Sequence, residues 1–320
     1  MDRDYYVVDA FTSVPFGGNA AAVVLQADGL TDDDMRGMAR EFNLSETTFV
    51  LPPQESAVHA HGNGVAPLAR VRFRWFTPTV EVNICGHATI AGVHALVESG
   101  RLRPRAGHAA QTVQIETRSG LLTAYVEALP GQPGEAVIWL DLIDPTWSAC
   151  PAEPAELARL VGISADAFDT DMPPVLTMDR DILCFVRDVA AVNAARLDRE
   201  RLIAFSKPLA LRGLTLATVY TLTPTIHVQS RFFAPAAGVD EDPVTGSMHG
   251  PLAAYLVARG RVEVDSTSGV AALQCVQGIP GGRTGLVWAL VQPKAPGGYG
   301  VRIGGRTVTT MVGRVVRTTG

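Results

Sequence analysis

Apolar runs of strand length, broken by Gly- and Pro-containing turns, alternate along the chain with segments of helical period. Residues 5–10 form a short apolar strand, Ser13-Val14-Pro15-Phe16-Gly17-Gly18-Asn19 a turn, and residues 20–25 a returning strand. Thr31 with Asp34 three positions later resembles a capping box, and Asp32 and Asp33 suit the positive start of a helix. Met35, Met38, Ala39 and Phe42 then recur at helical spacing. Residues 46–51 read as a strand. Residues 70–75 (RVRFRW) alternate strictly, which predicts a half-solvated, antiparallel strand whose arginines face water. Residues 54–67 are polar and contain Gly, as a surface loop does. Gly281-Gly282-Arg283 reads as a turn between strands.

Residues 86–99 (GHATIAGVHALVES) are apolar on nearly every side, the pattern of a fully buried helix. In a strand-rich chain this predicts a sheet curled around that helix. The segment recurs. Residues 246–262 (GSMHGPLAAYLVARGRV) align with residues 86–102 at an offset of 160, matching Gly86 with Gly246, Leu96 with Leu256, Val97 with Val257, Gly100 with Gly260 and Arg101 with Arg261. Upstream, Phe76-Thr77-Pro78 parallels Phe233-Ala234-Pro235, and each lead-in holds an acid, Glu81 in one and Glu241-Asp242 in the other. Pro251 is expected in the first turn of its helix, where a missing N–H costs nothing. A duplicated α+β chain follows, with an N-terminal half over residues 1–127, to which the final strands near 306–318 return, and a C-terminal half over residues 128–320. If the two helix starts face each other, the amides of Gly86, His87, Gly246 and Ser247 converge on an anion site.

Composition narrows the class. At 320 residues and 47% hydrophobic content the chain can bury sizeable cores without disulfides or a structural metal. Net charge is −5 with 27 basic residues and no basic run, so no nucleic-acid footprint is present. No apolar stretch approaches the ~18 residues of a membrane-spanning helix. The acidic start, Met1-Asp2-Arg3-Asp4, is unlike a signal peptide, and Arg317-Thr318-Thr319-Gly320 carries no prenylation motif. A cytoplasmic location is expected. Cysteines at 85, 150, 184 and 275 form no CxxC pair. His59-Ala60-His61 lacks a third ligand at zinc spacing, and no P-loop or GxGxxG follows a strand, so neither a metal nor another cofactor is expected.

The residues with chemistry occur as an ordered set. Asp9-Ala10-Phe11-Thr12-Ser13, Gly18-Asn19, Asn43-Leu44-Ser45-Glu46-Thr47-Thr48-Phe49-Val50, Phe76-Thr77-Pro78, Gly86-His87 and Glu241-Asp242-Pro243-Val244-Thr245-Gly246-Ser247 together resemble the PhzF-like isomerases related to phenazine biosynthesis, within the diaminopimelate-epimerase-like fold. The resemblance implies two pseudo-symmetric domains, each a curled, mostly antiparallel sheet around a central helix. It also implies no cofactor, a homodimer, and acid–base isomerisation of a small carboxylate substrate. Glu46 matches the family's catalytic glutamate, His87 and Asp242 the other acid–base positions, and Ser247 the substrate-contacting serine. Gly86 and Gly246 supply backbone donors. Asn19 is a turn residue or a substrate amide.

Cys85-Gly86-His87-Ala88-Thr89-Ile90 also looks like the first catalytic motif of proline racemases and hydroxyproline epimerases. Those enzymes use two cysteines, one from each half, whereas Pro243-Val244-Thr245-Gly246 here contains none. Cys85 is therefore either a base or a small buried filler. Three readings stay open: an isomerase driven by Glu46, an epimerase using Cys85 opposed by a carboxylate, and a ligand-binding protein on the same fold.

Overall fold

The computed structural model describes residues 2–54, 67–105, 110–129, 136–278 and 281–316. His59, His61 and most of the polar segment 54–67 lie outside them. The chain divides into two compact units, residues 1–141 with 304–320, and residues 142–303. The first unit therefore runs past residue 127, because a further strand is laid antiparallel on its sheet before the chain leaves it.

In the first unit β1 (Arg3–Ala10) pairs antiparallel with β2 (Asn19–Val24). Helix α1 (Asp32–Phe42) then carries the chain to β3 (Thr47–Leu51), which lies parallel to β2. The Thr31–Asp34 capping box starts α1 as its sequence demands, and Met35 and Ala39 pack beneath it with Phe49 and Phe76. Strand β4 (Ala69–Phe76) is antiparallel to β3 and to the short β5 (Glu81–Val82). Helix α2 (Gly86–Glu98) follows, and β6 (Gln111–Thr117) returns parallel to β4. Strands β7 (Gly120–Ala128) and β8 (Ala136–Asp141) extend the sheet antiparallel. Contacts of α2 with strands β1 to β4 and β8 wrap the sheet around it. Its burial is tight: a Cβ on Gly92 would come within 2.7 Å of the Phe73 ring.

The second unit repeats this plan. Strand β10 (Val175–Thr177) pairs antiparallel with β9 (Trp147–Ala149) on one side and with β11 (Asp181–Phe185) on the other, and α3 (Pro154–Leu160) lies between β9 and β10 in the chain. Helices α4 (Val189–Ala194) and α5 (Arg199–Leu209) cross to β12 (Gly213–Thr218), parallel to β11 as β3 is to β2. Strand β13 (Val228–Ala234) is antiparallel to β12 and to β14 (Val239–Asp242). Helix α6 (Gly246–Ala258) then leads to β15 (Ala271–Gly278), parallel to β13, and β16 (Thr284–Pro293) pairs antiparallel with β15. Strand β17 (Tyr299–Gly305) ends this unit, and β18 (Thr307–Val315) pairs with β1 of the first, with α2 against it.

Two expectations are corrected. Pro251 is the sixth residue of α6, not a first-turn residue, so its missing N–H removes a helical bond to the Ser247 carbonyl. The arginines of β4 are not simply a solvated face. Arg74 makes a two-point ion pair with Glu81 at 2.7 and 2.8 Å, bonds Asp32, and lies over the Phe76 ring. Arg231 does the same in the second unit, with Glu241 at 2.7 Å twice and Phe233 beneath it. The repeat thus includes Arg74-x-Phe76 and Arg231-x-Phe233, each clamping the acid of its short strand.

Arg231 is 5% exposed and Glu241 is about a third exposed. Removing the carboxylate leaves a buried cation with, among the described residues, the Val192 and Ala195 carbonyls and the Phe233 ring. Glu241→Ala is expected to cost about 2–3 kcal/mol, below the ~3–5 of a fully buried pair because Glu241 is partly solvated. Arg36→Ala at the exposed Arg36–Asp33 pair should stay within about 0.5 kcal/mol. Chemical denaturation of both variants checks the contrast.

Candidate active site

The turn before β2 depends on Gly18, whose φ is +53° and where a Cβ would strike the Ala10 carbonyl. That turn delivers Asn19, buried, to the first position of β2 opposite Ala10. Ser45 and Glu46 stand in the same place relative to the parallel strand β3. Glu46 lies one residue before the strand rather than within it, while its carbonyl still accepts the Ala22 N–H at 3.3 Å.

Opposite them is the start of α2. Cys85 is the N-cap residue and makes no side-chain cap, so the amides of Gly86, His87 and Ala88 have no helical partner. His87 is buried, and its two ring nitrogens have different neighbours. Nε2 lies 3.4 Å from Glu46 Oε2 and 3.4 Å from Ser45 Oγ, whereas Nδ1 lies 3.5 Å from Cys85 Sγ. Donor atoms of Glu46, Cys85 and His87 all fall within 4.8 Å of one another. A carboxylate, an imidazole and a thiol in one file can exchange a proton, because neutral imidazole carries a hydrogen on one nitrogen and a lone pair on the other. The contacts are long for hydrogen bonds, as catalytic contacts without substrate often are. The same donor types bind zinc-class ions, so this cluster is also where a metal would sit. Cys85 is not a buried filler: it is half-buried with its sulfur on a histidine.

The second unit carries the other expected residues. Asp242 ends β14 and pairs in register with Phe232, as Val82 does with Trp75, so the first unit has valine where the second has aspartate. Thr245 is the α6 N-cap and the counterpart of Cys85, and Ser247 is the counterpart of His87. Ser247 Oγ accepts from Arg212 Nη1 at 2.9 Å. Arg212 in turn makes a two-point pair with buried Asp181, one of whose contacts is 2.8 Å. Since Arg212 can only donate, the Ser247 hydroxyl proton is turned away from it and is available to another acceptor.

Sequence reasoning missed Arg212 and Asp181. Strand register would have found them: Thr48 opposes Trp75 and Thr215 opposes Phe232, which sets Arg212 in the place of Ser45. Gln277 was also missed; it bonds both Asp242 and Thr245. Cys275 is no second base, since complete burial in β15 pushes its thiol up to about 12. Burial likewise raises Cys184 and Cys150.

A family model described as phenazine biosynthesis-like protein matches residues 8–313. The trans-2,3-dihydro-3-hydroxyanthranilate isomerase of Pseudomonas fluorescens is 31% identical over 317 residues, 98% of this chain and 99% of the relative. The crystal structure of a PhzF-family phenazine biosynthesis protein from Bacillus anthracis matches with a TM-score of 0.82 at 26% identity, covering 99% of this chain and 100% of that one. A hydroxyproline epimerase from Agrobacterium vitis shares the fold, with a TM-score of 0.60 at 14% identity over 98% of this chain and 92% of that one.

His249, in the α6 first turn, gives a pH prediction. It is fully buried, its Nδ1–H donates to the Thr245 carbonyl at 2.8 Å, and its Nε2 has no partner among the described residues. Burial depresses its pKa to about 4 from 6.5. The unfolded chain therefore takes up a proton below pH 6.5 that the native state refuses until about pH 4, so this group's term favours the native state less as pH falls through that window. Wild type should lose roughly 3 kcal/mol more than His249→Asn across it, measured as unfolding free energy against pH.

Proposed function

The chain belongs to the phenazine biosynthesis-like family and is an isomerase, and on that premise we propose that it moves a proton within a small carboxylate substrate by acid–base catalysis without a cofactor. The observation that carries this reading is the Glu46–His87 contact at 3.4 Å at the uncapped start of a buried helix. Glu46 takes a proton from a carbon next to an electron-withdrawing group. The electron pair left behind shifts through the adjacent double bond, and the same proton is returned to the far carbon, so the substrate is rearranged with no net gain or loss. His87 holds the Glu46 carboxylate in place and carries charge between it and the substrate. Asp242 supplies a second fixed charge, and Asn19 orients the substrate. For holding the substrate carboxylate we assign the backbone donor at the helix start of each unit, Gly86 in the first and Gly246 in the second, and the Ser247 hydroxyl beside the latter. Dihydro-hydroxyanthranilate acids, the substrate type named for the relative from P. fluorescens, are the first candidates to test. We take the enzyme to be a homodimer, as the resemblance implies; exposed Met311, Val312 and Val316 give the β18 region apolar surface to cover. Its four cysteines form no disulfide among the described residues, which suits the reducing cytoplasm.

A second reading has its own support. The Cys85 sulfur on His87 Nδ1 is the geometry of an activated thiol, as a cysteine-assisted epimerase would need. Two variants separate the readings. Glu46→Gln keeps the side-chain shape and loses the titratable proton, so it should cut turnover by at least ~10²-fold with ligand binding retained. Cys85→Ala should keep most activity under the isomerase reading and lose it under the other. An inactive Cys85→Ala protein that melts like wild type, beside an active Glu46→Gln, overturns the assignment.

Because Glu46, Cys85 and His87 are also metal-binding types, activity after exhaustive chelation is a further check. Turnover is expected to be unchanged by EDTA treatment. Stoichiometric metal by elemental analysis, together with loss of activity on its removal, defeats the cofactor-free mechanism.

A further inference from the structure

Gln277, on β15 and fully buried, touches Asp242 and Thr245 through three hydrogen bonds. Its Oε1 accepts the Thr245 N–H at 2.8 Å. Its Nε2 donates to the Asp242 backbone carbonyl at 2.7 Å and to Thr245 Oγ1 at 3.1 Å. The backbone groups decide the orientation of this amide. Turned over, it would set NH₂ against an N–H and C=O against a C=O. The hydrogen directed at Thr245 is therefore fixed, and Thr245 Oγ1 must accept it. That oxygen has one proton of its own, which is left to point at Asp242 Oδ2, 2.5 Å away. A separation of 2.5 Å lies in the range of an O–H donor on an ionised carboxylate. A proton on Asp242 Oδ2 would meet the threonine proton head-on.

We propose that Gln277 is a positioning residue of this enzyme: acting through Thr245, it holds Asp242 as an ionised carboxylate and fixes its orientation. The proposal rests on the reading above in that Asp242 is taken to serve the reaction. It also assigns the state of that group, a standing negative charge and proton acceptor rather than a resting acid. The device belongs to the second unit. By strand register the first-unit counterparts of Asp242, Thr245 and Gln277 are Val82, Cys85 and Thr117, and the Thr117 hydroxyl is bonded to the Gly120 carbonyl instead. Where no carboxylate stands at the end of the short strand, no amide reaches it.

Two substitutions remove the proton that Asp242 accepts. Thr245→Val deletes the hydroxyl at constant shape, whereas Thr245→Ser keeps it. Gln277→Glu keeps the shape but exchanges the NH₂ donor for an oxygen, which draws the Thr245 proton to itself. With an accepted carboxylate substrate, both Thr245→Val and Gln277→Glu should lower kcat by ~10-fold or more, as misplacement of a reacting group does, with KM within about twofold. Both should move the acid limb of the kcat profile up by about one pH unit, because the ionised form has lost its donor. Thr245→Ser should restore the wild-type profile. Wild-type profiles in folded Thr245→Val and Gln277→Glu proteins overturn the proposal. Should either variant not fold, carbon-detected NMR of the wild type decides: Asp242 must remain ionised at pH 6 and 7, and a protonated Asp242 there overturns the proposal. Glu46→Gln serves as the control. If that variant is active, the proton-transfer reading fails while the Asp242 titration still stands. If it is inactive and the Asp242 variants are unaffected, this inference alone fails.

Discussion

A helix buried on every side is the constraint on which the rest of each unit depends. Such a helix has no wet face on which to leave its first amides, and the residues that enter it must be pinned before the helix can start. Both units meet this requirement in the same way. An arginine on the strand before the entry, Arg74 or Arg231, clamps the acid of the next short strand, Glu81 or Glu241, in a two-point pair. Its guanidinium rests on a phenylalanine two residues along. The clamp sets where the short strand ends, and the helix start follows four residues after it in each case. Within the first turn a side chain then bonds back to the N-cap carbonyl, Thr89 to Cys85 and His249 to Thr245.

On this common frame the two units have diverged in charge. In the first, the positions before the central strand and at the helix start hold Ser45, Glu46, Cys85 and His87, and the carboxyl, thiol and imidazole among them can give or take a proton. In the second, the matching positions hold Arg212, Gly213, Thr245 and Ser247: a cation that donates to Ser247, a residue without a side chain, and two hydroxyls, of which Thr245 donates to Asp242. Asp181 and Asp242 balance that donor set, the first ion-paired with Arg212 and the second accepting from Thr245.

Much of this plan is legible in the sequence, and the exceptions share a cause. The buried helices show because a run apolar on nearly every side has few other uses, and the duplication shows because Gly86 and Gly246 lie at the same point of both copies. The α1 start is visible because Thr31 and Asp34 act locally. Hidden from a linear reading are groups whose roles depend on pairing across strands. Arg74 alternates like any solvated residue until β5 folds back and brings Glu81 to it. Arg212 and Gln277 gain meaning only from register, since each reaches a partner more than thirty residues away in the chain. The place of Pro251 is hidden for a related reason: α6 starts at Gly246, five residues before it, and a buried helix tolerates one missing bond where packing holds the turn.

The threonine at 245 bears on how the two chemistries of this fold diverge. Racemisation at a stereocentre by two bases needs one group on each face of the carbon, and a thiol at each helix start would meet that need. Here one start keeps its thiol at Cys85, while the other holds a hydroxyl whose proton is already committed to Asp242. A neutral hydroxyl is a poor base, and turning this one into an alkoxide beside the Asp242 carboxylate would place two negative charges 2.5 Å apart. The second unit therefore cannot supply a matching base at that position. On the proposed reading, in which one acid, Glu46, removes and returns the proton, no such requirement arises. Within the second unit Arg212, Ser247, Thr245 and Asp242 are each held by hydrogen bonds, to one another or to Asp181 and Gln277.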